Sequence, residues 1–250
     1  MSGHSKWHSI KHKKAKVDAQ RGKIFTRLIK EITVAARMGG GDAEMNPRLR
    51  TAIAAAKSAN MPAKNMENAV KKGTGELPGV VYEEIVYEGY GPGGVALYIN
   101  VMTDNKNRTV AEIRHLLGKY GGNLGESGCV AWMFEKKGLI RVNKKNYNEE
   151  EIFIIALDAG AEDLQGDDEE YYVIYTEFEN MESVKEEMEK KGVHIEEAVQ
   201  TMIPKNTLEL NVKQAEQMIK LMEMLDEHDD IQDVNANFDI DDEVIAQLAG

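Results

Sequence analysis

One stretch of this sequence alternates strand and helix patterns in an order that few folds accommodate. Between residues 139 and 203 the patterns predict strand, helix, strand, strand, helix and strand. The strands are rich in Val, Ile and Tyr, as in YYVIYT at 171–176, and the first helix contains the apolar run IFIIAL at 152–157. The order βαββαβ predicts a ferredoxin-like module.

The segments on either side of this module have complementary elements. Two strand patterns at 80–90 and 95–103 and a helix from about 107 to 120 precede it, and a short strand, a helix over 213–227 and a strand over 231–237 follow it. We therefore predict a second, similar α/β domain built from 79–135 and 205–250, with 136–204 inserted into it. The Gly-rich loop at 89–94 leads into a strand, which favours a hairpin over a phosphate cradle.

Residues 1–78 have helical periodicity instead. A helix is predicted over 20–38, a second begins at Asn46-Pro47, where a capping side chain precedes a first-turn proline, and a third follows Met61-Pro62. The predicted fold class is therefore α+β, with a three-helix N-terminal domain followed by two ferredoxin-like α/β domains, one inserted in the other.

Charge divides the chain at the same place. The whole chain of 250 residues has a formal net charge of −12. Residues 1–75 contain 16 Lys and Arg against five Asp and Glu, a charge of +11, whereas residues 76–250 contain 15 against 38, a charge of −23. A basic segment on an otherwise acidic chain is typical of a module that binds polyanions.

The basic residues form two groups. Five lysines crowd around Trp7 near the start of the chain, and four cations lie opposite the apolar face of the first predicted helix. The candidates for contact with phosphates are Lys6, Lys11, Lys13, Lys14, Lys16, Lys23, Arg27, Lys30 and Arg37. Trp7 has two interpretations, a stacking partner for a base or an anchor in the core, and the sequence leaves both open.

Other motifs bear on metal binding and catalysis. His4, His8 and His12 have helical spacing, but the surrounding lysines would repel a cation, so we predict no metal site. The acidic runs at 167–170 and 226–230 lack calcium-loop spacing and are interpreted as solvated faces that repel nucleic acid. Cys129 is expected to be a small buried residue. With no paired catalytic residues in the sequence, we predict neither an enzyme nor a cofactor.

Apolar runs and the cysteine count indicate the cellular compartment in which we expect the protein. No apolar stretch is long enough to span a membrane, the basic N-terminus has no apolar run behind it, and the single cysteine fits a reducing compartment. We therefore expect a cytoplasmic protein that does not insert into membranes.

Long blocks of the sequence resemble one family. These are GHSKWHSIKHKKAKVDAQRGKIFTRLIKEITVAARMGGGD, NPRLRTAIAAAKSANMP, YEGYGPGGVALYINVMTDNKNRTVAEIRH and GGNLGESGCVAWMFEKKGLI. They closely resemble the YebC family of transcriptional regulatory proteins, over about residues 1–142 at the level of motifs. The resemblance implies an N-terminal helical domain and two α/β domains, in agreement with the patterns.

The resemblance also implies a function. Members look like cytoplasmic, non-enzymatic DNA-binding regulators of transcription, and related proteins, including a mitochondrial branch, look like translation factors that work at the ribosome. In that alternative the same cations of this chain would bind ribosomal RNA. The basic motif of the family maps onto Lys6, Trp7, Lys11, His12, Lys13, Lys14, Arg21, Lys23 and Arg27, and Lys106 and Arg108 in the block at 103–109 could extend the basic footprint. The acidic α/β domains would orient the molecule or bind a protein partner.

Overall fold

The computed structural model describes residues 17–166, 168, 170–241 and 244, with side chains from residue 22 onward. Three helices form its N-terminal part: α1 (Val17–Gly39), α2 (Pro47–Ser58) and α3 (Ala63–Thr74). Asn46 begins α2 because its side-chain oxygen accepts a hydrogen bond from the backbone N–H of Leu49 at 3.1 Å. The predicted three-helix domain is confirmed.

Small side chains let these helices pack closely. Their shared core consists of Ile32, Ala35, Ala36, Leu49, Ala52, Ala56, Met61, Met66 and Ala69. Gly73 of α3 lies directly against α1, where an added Cβ would lie 2.7 Å from the Cβ of Ala36 and would overlap the carbonyl oxygen of Thr33. The approach of α3 to α1 therefore requires glycine at this position.

The first α/β sheet and its helices consist of β1 (Glu83–Tyr90), β2 (Ala96–Thr103), α4 (Lys106–Lys119), β3 (Asn123–Leu124), α7 (Val212–Asp226) and β9 (Ile231–Ala236). The four strands are antiparallel and lie in the spatial order β3, β1, β2, β9. Both helices pack on one face, where Leu97, Ile113 and Met218 belong to a single apolar core. The helices and strands of this sheet thus come from two separate parts of the chain.

The chain between these two parts forms the second sheet. Its elements are β4 (Phe134–Asn143), α5 (Glu149–Ala159), β5 (Asp163–Gln165), β6 (Tyr171–Glu177), α6 (Met181–Lys190) and β7 (Glu197–Pro204). The strands are antiparallel in the order β5, β6, β4, β7, which is the ferredoxin-like arrangement that the βαββαβ pattern predicted. The predicted fold class is confirmed.

The two α/β sheets contact each other directly. Thr201 of β7 donates a hydrogen bond to the Oδ1 of Asn235 in β9 at 2.8 Å, and both side chains are buried. An apolar cluster beside this bond contains Ala96, Val130 and Phe134. The face of the first sheet that carries no helix is therefore partly covered by the second sheet.

Several elements differ in detail from their predicted form. The first sheet begins with a hairpin, so its strand connectivity differs from βαββαβ although it has the same number of strands and helices. The hairpin loop includes a short turn at Pro92–Gly94, with positive φ at Gly93 and Gly94. The strand expected at 208–212 shrinks to β8 (Leu208–Glu209), which pairs with β10 (Phe238–Asp239) in a separate parallel pair. No helix in the described part of the chain is long and apolar enough to cross a membrane.

We expect Gly73→Ala to lower the free energy of unfolding by about 1–3 kcal/mol, because the new methyl group must displace the backbone of α1. Thermal unfolding of the full chain followed by circular dichroism measures the effect. Gly22→Ala is the matched control, since that glycine lies within α1 with nothing within 4 Å of the added Cβ. The control should be neutral or stabilising; equal losses of stability in both variants would contradict the role of Gly73.

Candidate nucleic-acid interface

The cationic stripe of α1 faces the first α/β sheet. Lys23, Arg27 and Lys30 are spaced by four and three residues, which places them on one side of the helix. The acidic run at 226–230, at the end of α7 and in the turn before β9, lies against them. The structure thus brings together two features that look unrelated in the sequence.

Ion pairs connect the two features along their length. Arg27 donates one hydrogen bond to the Asp226 carboxylate at 3.0 Å and another to its carbonyl oxygen at 2.6 Å. The Lys23 ammonium lies 3.8 Å from a carboxylate oxygen of Glu227 and is half exposed. The Lys30 ammonium lies 2.7 Å from the Asp230 carboxylate. Asp226 and Asp230 are consequently not part of a solvated face, and that prediction is corrected for these two residues, whereas Glu227 and Asp229 are exposed.

Lys30 has a structural role in place of the predicted phosphate contact. Its side chain is buried, and its ammonium donates to the Asp230 carboxylate and to the carbonyl oxygens of Met102 at 3.1 Å and Asp229 at 2.9 Å. Three acceptors satisfy all three N–H donors. A phosphate could reach this ammonium only after the helical domain had separated from the sheet.

Asp230 is the centre of this contact. One carboxylate oxygen accepts from Lys30, and the other accepts from Thr103 at 3.0 Å, Arg108 at 2.7 Å and Thr109 at 2.7 Å. Burial by itself would raise the pKa of Asp230, but the hydrogen bonds from Lys30, Arg108 and Thr109 outweigh it and hold the pKa far below its usual range. The carboxylate is therefore ionised at neutral pH.

The block at 103–109 builds this pocket. Thr103 ends β2, and Asn105 caps α4 by accepting a hydrogen bond from the backbone N–H of Arg108 at 3.1 Å. The tight turn between strand and helix aims Thr103, Arg108 and Thr109 at one carboxylate. The block is a recognisable motif in the sequence, but only the structure shows that its side chains bind the carboxylate of Asp230.

Lys106 and Arg108 are both ion-paired. Lys106 lies 2.5 Å from Glu83, while Arg108 is shared between Asp104 at 2.9 Å and Asp230. The Lys106 pair is solvent-exposed and would exchange readily for a phosphate contact. Arg108 is held by Asp230, so a phosphate there would compete with that ion pair. The assignment of Lys106 and Arg108 to the basic footprint remains a prediction.

His228 continues the network away from α1. Its Nδ1 accepts a hydrogen bond from the backbone N–H of Asp230 at 3.1 Å, so the ring proton lies on Nε2, which donates to Glu112 at 2.9 Å. Glu112, His228 and Asp230 are close enough together to suggest a metal site. Lys30 and Arg108 already neutralise Asp230, which disfavours a bound cation there. The three-histidine alternative lies outside the described residues.

A buried carboxylate also organises the loop before β4. Glu88 accepts hydrogen bonds from the backbone N–H groups of Gly128, Val130 and Ala131 at 2.6–2.8 Å. Burial opposes ionisation of Glu88, but these three bonds lower its pKa. Cys129 in this loop is half-buried, and burial followed by the nearby Glu88 charge raises the pKa of its thiol, which disfavours the nucleophilic thiolate.

The remaining predicted residues fall into two groups. Arg37 is exposed at the end of α1. Lys6, Trp7, Lys11, His12, Lys13, Lys14 and Lys16 lie outside the described residues, and Arg21 lies in α1 with its side chain outside the description. Their assignment to nucleic-acid binding remains a prediction.

Further cations on the helical domain are exposed. Lys57, Lys64, Lys71 and Lys72 are exposed on α2 and α3, and none of them forms an ion pair with another described residue. Gly73 lies against the backbone of Arg37, so the last turn of α3 and the end of α1 are neighbours. Exposed positive charge thus extends from the end of α1 onto the last turn of α3.

Comparisons with known proteins agree with this architecture. Residues 5–76 match the family model "TACO1/YebC protein N-terminal domain", and residues 82–238 match "TACO1/YebC second and third domain". Proteins named "Probable transcriptional regulatory protein" are 55% identical in Persephonella marina and 57% identical in Desulfotalea psychrophila, each over all of both chains. A crystal structure of a conserved hypothetical protein from Aquifex aeolicus has a TM-score of 0.87 and 54% identity, covering 94% of this chain and 97% of that one.

Asp230→Asn should lower the free energy of unfolding by about 3–5 kcal/mol, because Lys30 and Arg108 lose the charge that compensates them. Chemical denaturation of the full chain measures the loss. Asp229→Asn is the matched control, since that neighbouring side chain is exposed and only its carbonyl oxygen contacts Lys30. A loss of stability no greater than that of the control would contradict the proposed role of Asp230.

The same variant should alter the dependence of stability on pH. Because the pKa of Asp230 is lower in the folded state than in the unfolded chain, its contribution is fully present above the unfolded pKa of about 4 and is lost as pH falls through the folded pKa. The difference in stability between the parent chain and Asp230→Asn should therefore be constant above about pH 5 and shrink below about pH 4. Denaturation curves at several pH values test this, and a difference independent of pH would contradict it.

Proposed function

This chain belongs to the TACO1/YebC family, and on that premise we propose that it is a cytoplasmic regulator of transcription that binds nucleic acid and catalyses no reaction. The names of its relatives support regulation of transcription. The observation that carries nucleic-acid binding is the confinement of net positive charge, +11, to residues 1–75 of an otherwise acidic chain. Phosphate backbones attract the first part and are repelled by the second.

We infer that the contact surface combines two sets of cations. The first consists of the predicted residues near the start of the chain, Lys6, Lys11, Lys13, Lys14, Lys16 and Arg21, with Trp7 and His12 among them. The second consists of the exposed cations of the helical domain, Arg37, Lys57, Lys64, Lys71 and Lys72. Lys23 and Arg27 contribute only when their partners in the acidic run release them.

The acidic α/β domains support one orientation of bound nucleic acid. Residues 76–250 have a net charge of −23, so a duplex bound to the helical domain gains by lying away from the two sheets. Binding through lysine and phosphate is insensitive to base sequence, and the described residues include no helix with the base-reading spacing of a zinc finger or basic zipper. Sequence preference would then come from DNA shape or from a partner protein.

The alternative is a translation factor that applies the same cations to ribosomal RNA. Phosphates of DNA and RNA attract lysine equally, so the two functions differ in their target and not in the chemistry of the surface. Cosedimentation with ribosomes, compared with retention on promoter DNA at the same salt concentration, decides between them. Preferential cosedimentation would reject regulation of transcription in favour of translation.

We expect Lys13→Glu/Lys14→Glu to weaken binding to a DNA duplex strongly, because each charge reversal removes an attraction to phosphate and adds a repulsion. The slope of log affinity against log salt should become shallower by about 0.9 for each phosphate that the variant no longer neutralises. Fluorescence anisotropy over a range of salt concentrations measures both quantities.

Lys205→Glu/Lys213→Glu is the matched control for this variant. It changes the net charge by the same amount but at exposed lysines outside the helical domain. The control should retain nearly the parental affinity and slope. If both variants weakened binding equally, net charge and not the N-terminal surface would determine affinity, and the proposed surface would be rejected.

A further inference from the structure

Helix α5 of the second α/β domain exposes a continuous apolar stripe. Phe153 is 41% exposed, Ile154 is 59% exposed and Leu157 is 44% exposed. Leu157 follows Phe153 by four positions and Ile154 by three, so its side chain lies next to both of theirs on the outer surface of the helix. Three large apolar side chains in one patch differ from the scattered single ones that are normal on a protein surface.

The core does not account for this stripe. Ile152 and Ala156 of the same helix are fully buried beneath it and pack against the sheet together with Val184 and Met188 of α6. Helix α5 is thus apolar on two sides, and an ordinary surface helix has one apolar side facing the core. The outer side is not covered within the described part of the chain.

The charged residues of α5 itself are all acidic. Glu149, Glu150 and Glu151 occupy the first turn, and Asp158 lies beside Leu157 near the end. Among the ion pairs of the described residues, one joins a cation to these acidic residues at the ends of α5, which form the rim of the stripe. The Lys191 ammonium lies 3.2 Å from the Asp158 carboxylate. An apolar stripe between carboxylates is complementary to apolar side chains flanked by Lys and Arg.

We propose that this face of α5 binds a partner protein through a cationic amphipathic helix. The apolar side of that helix would cover Phe153, Ile154 and Leu157, and its Lys and Arg residues would pair with the carboxylates at both ends of α5. The site is on the second α/β domain and is independent of the proposed nucleic-acid surface on the helical domain.

Charge disfavours two other occupants of this stripe, a second copy of the chain and nucleic acid. A symmetric contact with a second copy would bring Glu150 of one chain beside Asp158 or Glu150 of the other, depending on the direction of the helices. Like charges at such a contact are repulsive. Nucleic acid is repelled by the same carboxylates. A cationic protein segment is the occupant that both the apolar stripe and the rim favour.

The test uses a fluorescein-labelled helical peptide of Leu and Lys, with Leu on one face, titrated with the full chain and followed by anisotropy. We expect saturable binding that Ile154→Ser/Leu157→Ser weakens about tenfold or more. Val80→Ser/Val81→Ser is the matched control, because those two apolar residues are also exposed, at 48% and 60%, but lie in the segment before β1. The control should bind like the parent chain.

Three results would overturn the proposal. The first is no saturable binding of the peptide by the parent chain, or binding that both double variants weaken equally. The second is equal binding of a peptide in which Glu replaces every Lys, which would remove the role of the acidic rim. The third is a dimer of the parent chain in analytical ultracentrifugation that Ile154→Ser/Leu157→Ser dissociates, which would show that a second copy covers the stripe.

Discussion

A buried ion pair between Lys30 and Asp230 connects the helical domain to the first α/β sheet. Taking two charges out of water is costly, and this pair offsets the cost because every donor of the ammonium and both oxygens of the carboxylate have hydrogen-bond partners. The partners come from α1, the end of β2, the start of α4 and the turn before β9. Four elements from three parts of the chain are thus placed relative to one another by a single carboxylate.

This pairing changes how the charge of the molecule is distributed. The formal values of +11 and −23 suggest two oppositely charged bodies, yet part of each charge is cancelled where they meet. Lys23, Arg27 and Lys30 are matched by Glu227, Asp226 and Asp230 along one side of α1. The charge left to attract a polyanion lies on the exposed cations of the helical domain outside these three pairs, such as Arg37 and Lys57. Two helices of that domain, α2 and α3, therefore contribute lysines that were not among the cations predicted to contact phosphate.

Local patterns predicted the elements well and their long-range contacts poorly. Helix boundaries such as Asn46-Pro47 depend on neighbouring residues, and the βαββαβ order specified the second sheet because strand and helix periods are visible within a few residues. Lys30 and Asp230 are 200 residues apart, and each has a plausible exposed role when considered alone. The block at 103–109 was the available signal, since two threonines and an arginine beside a helix cap form an anion pocket once the turn closes. The other members of that pocket, Asp230 and Lys30, could be identified only from the three-dimensional structure.

The path of the chain also determines when this contact can form. A ribosome synthesises α1 early, but the acidic run that pairs with its cationic stripe follows about 200 residues later, after the whole inserted domain. N-terminal domains generally fold first during synthesis. Until the acidic run has been synthesised, Lys30 lacks its carboxylate partner Asp230, and the cationic stripe of α1 lacks the residues that pair with it. Completion of β9 ends that interval and buries the charge.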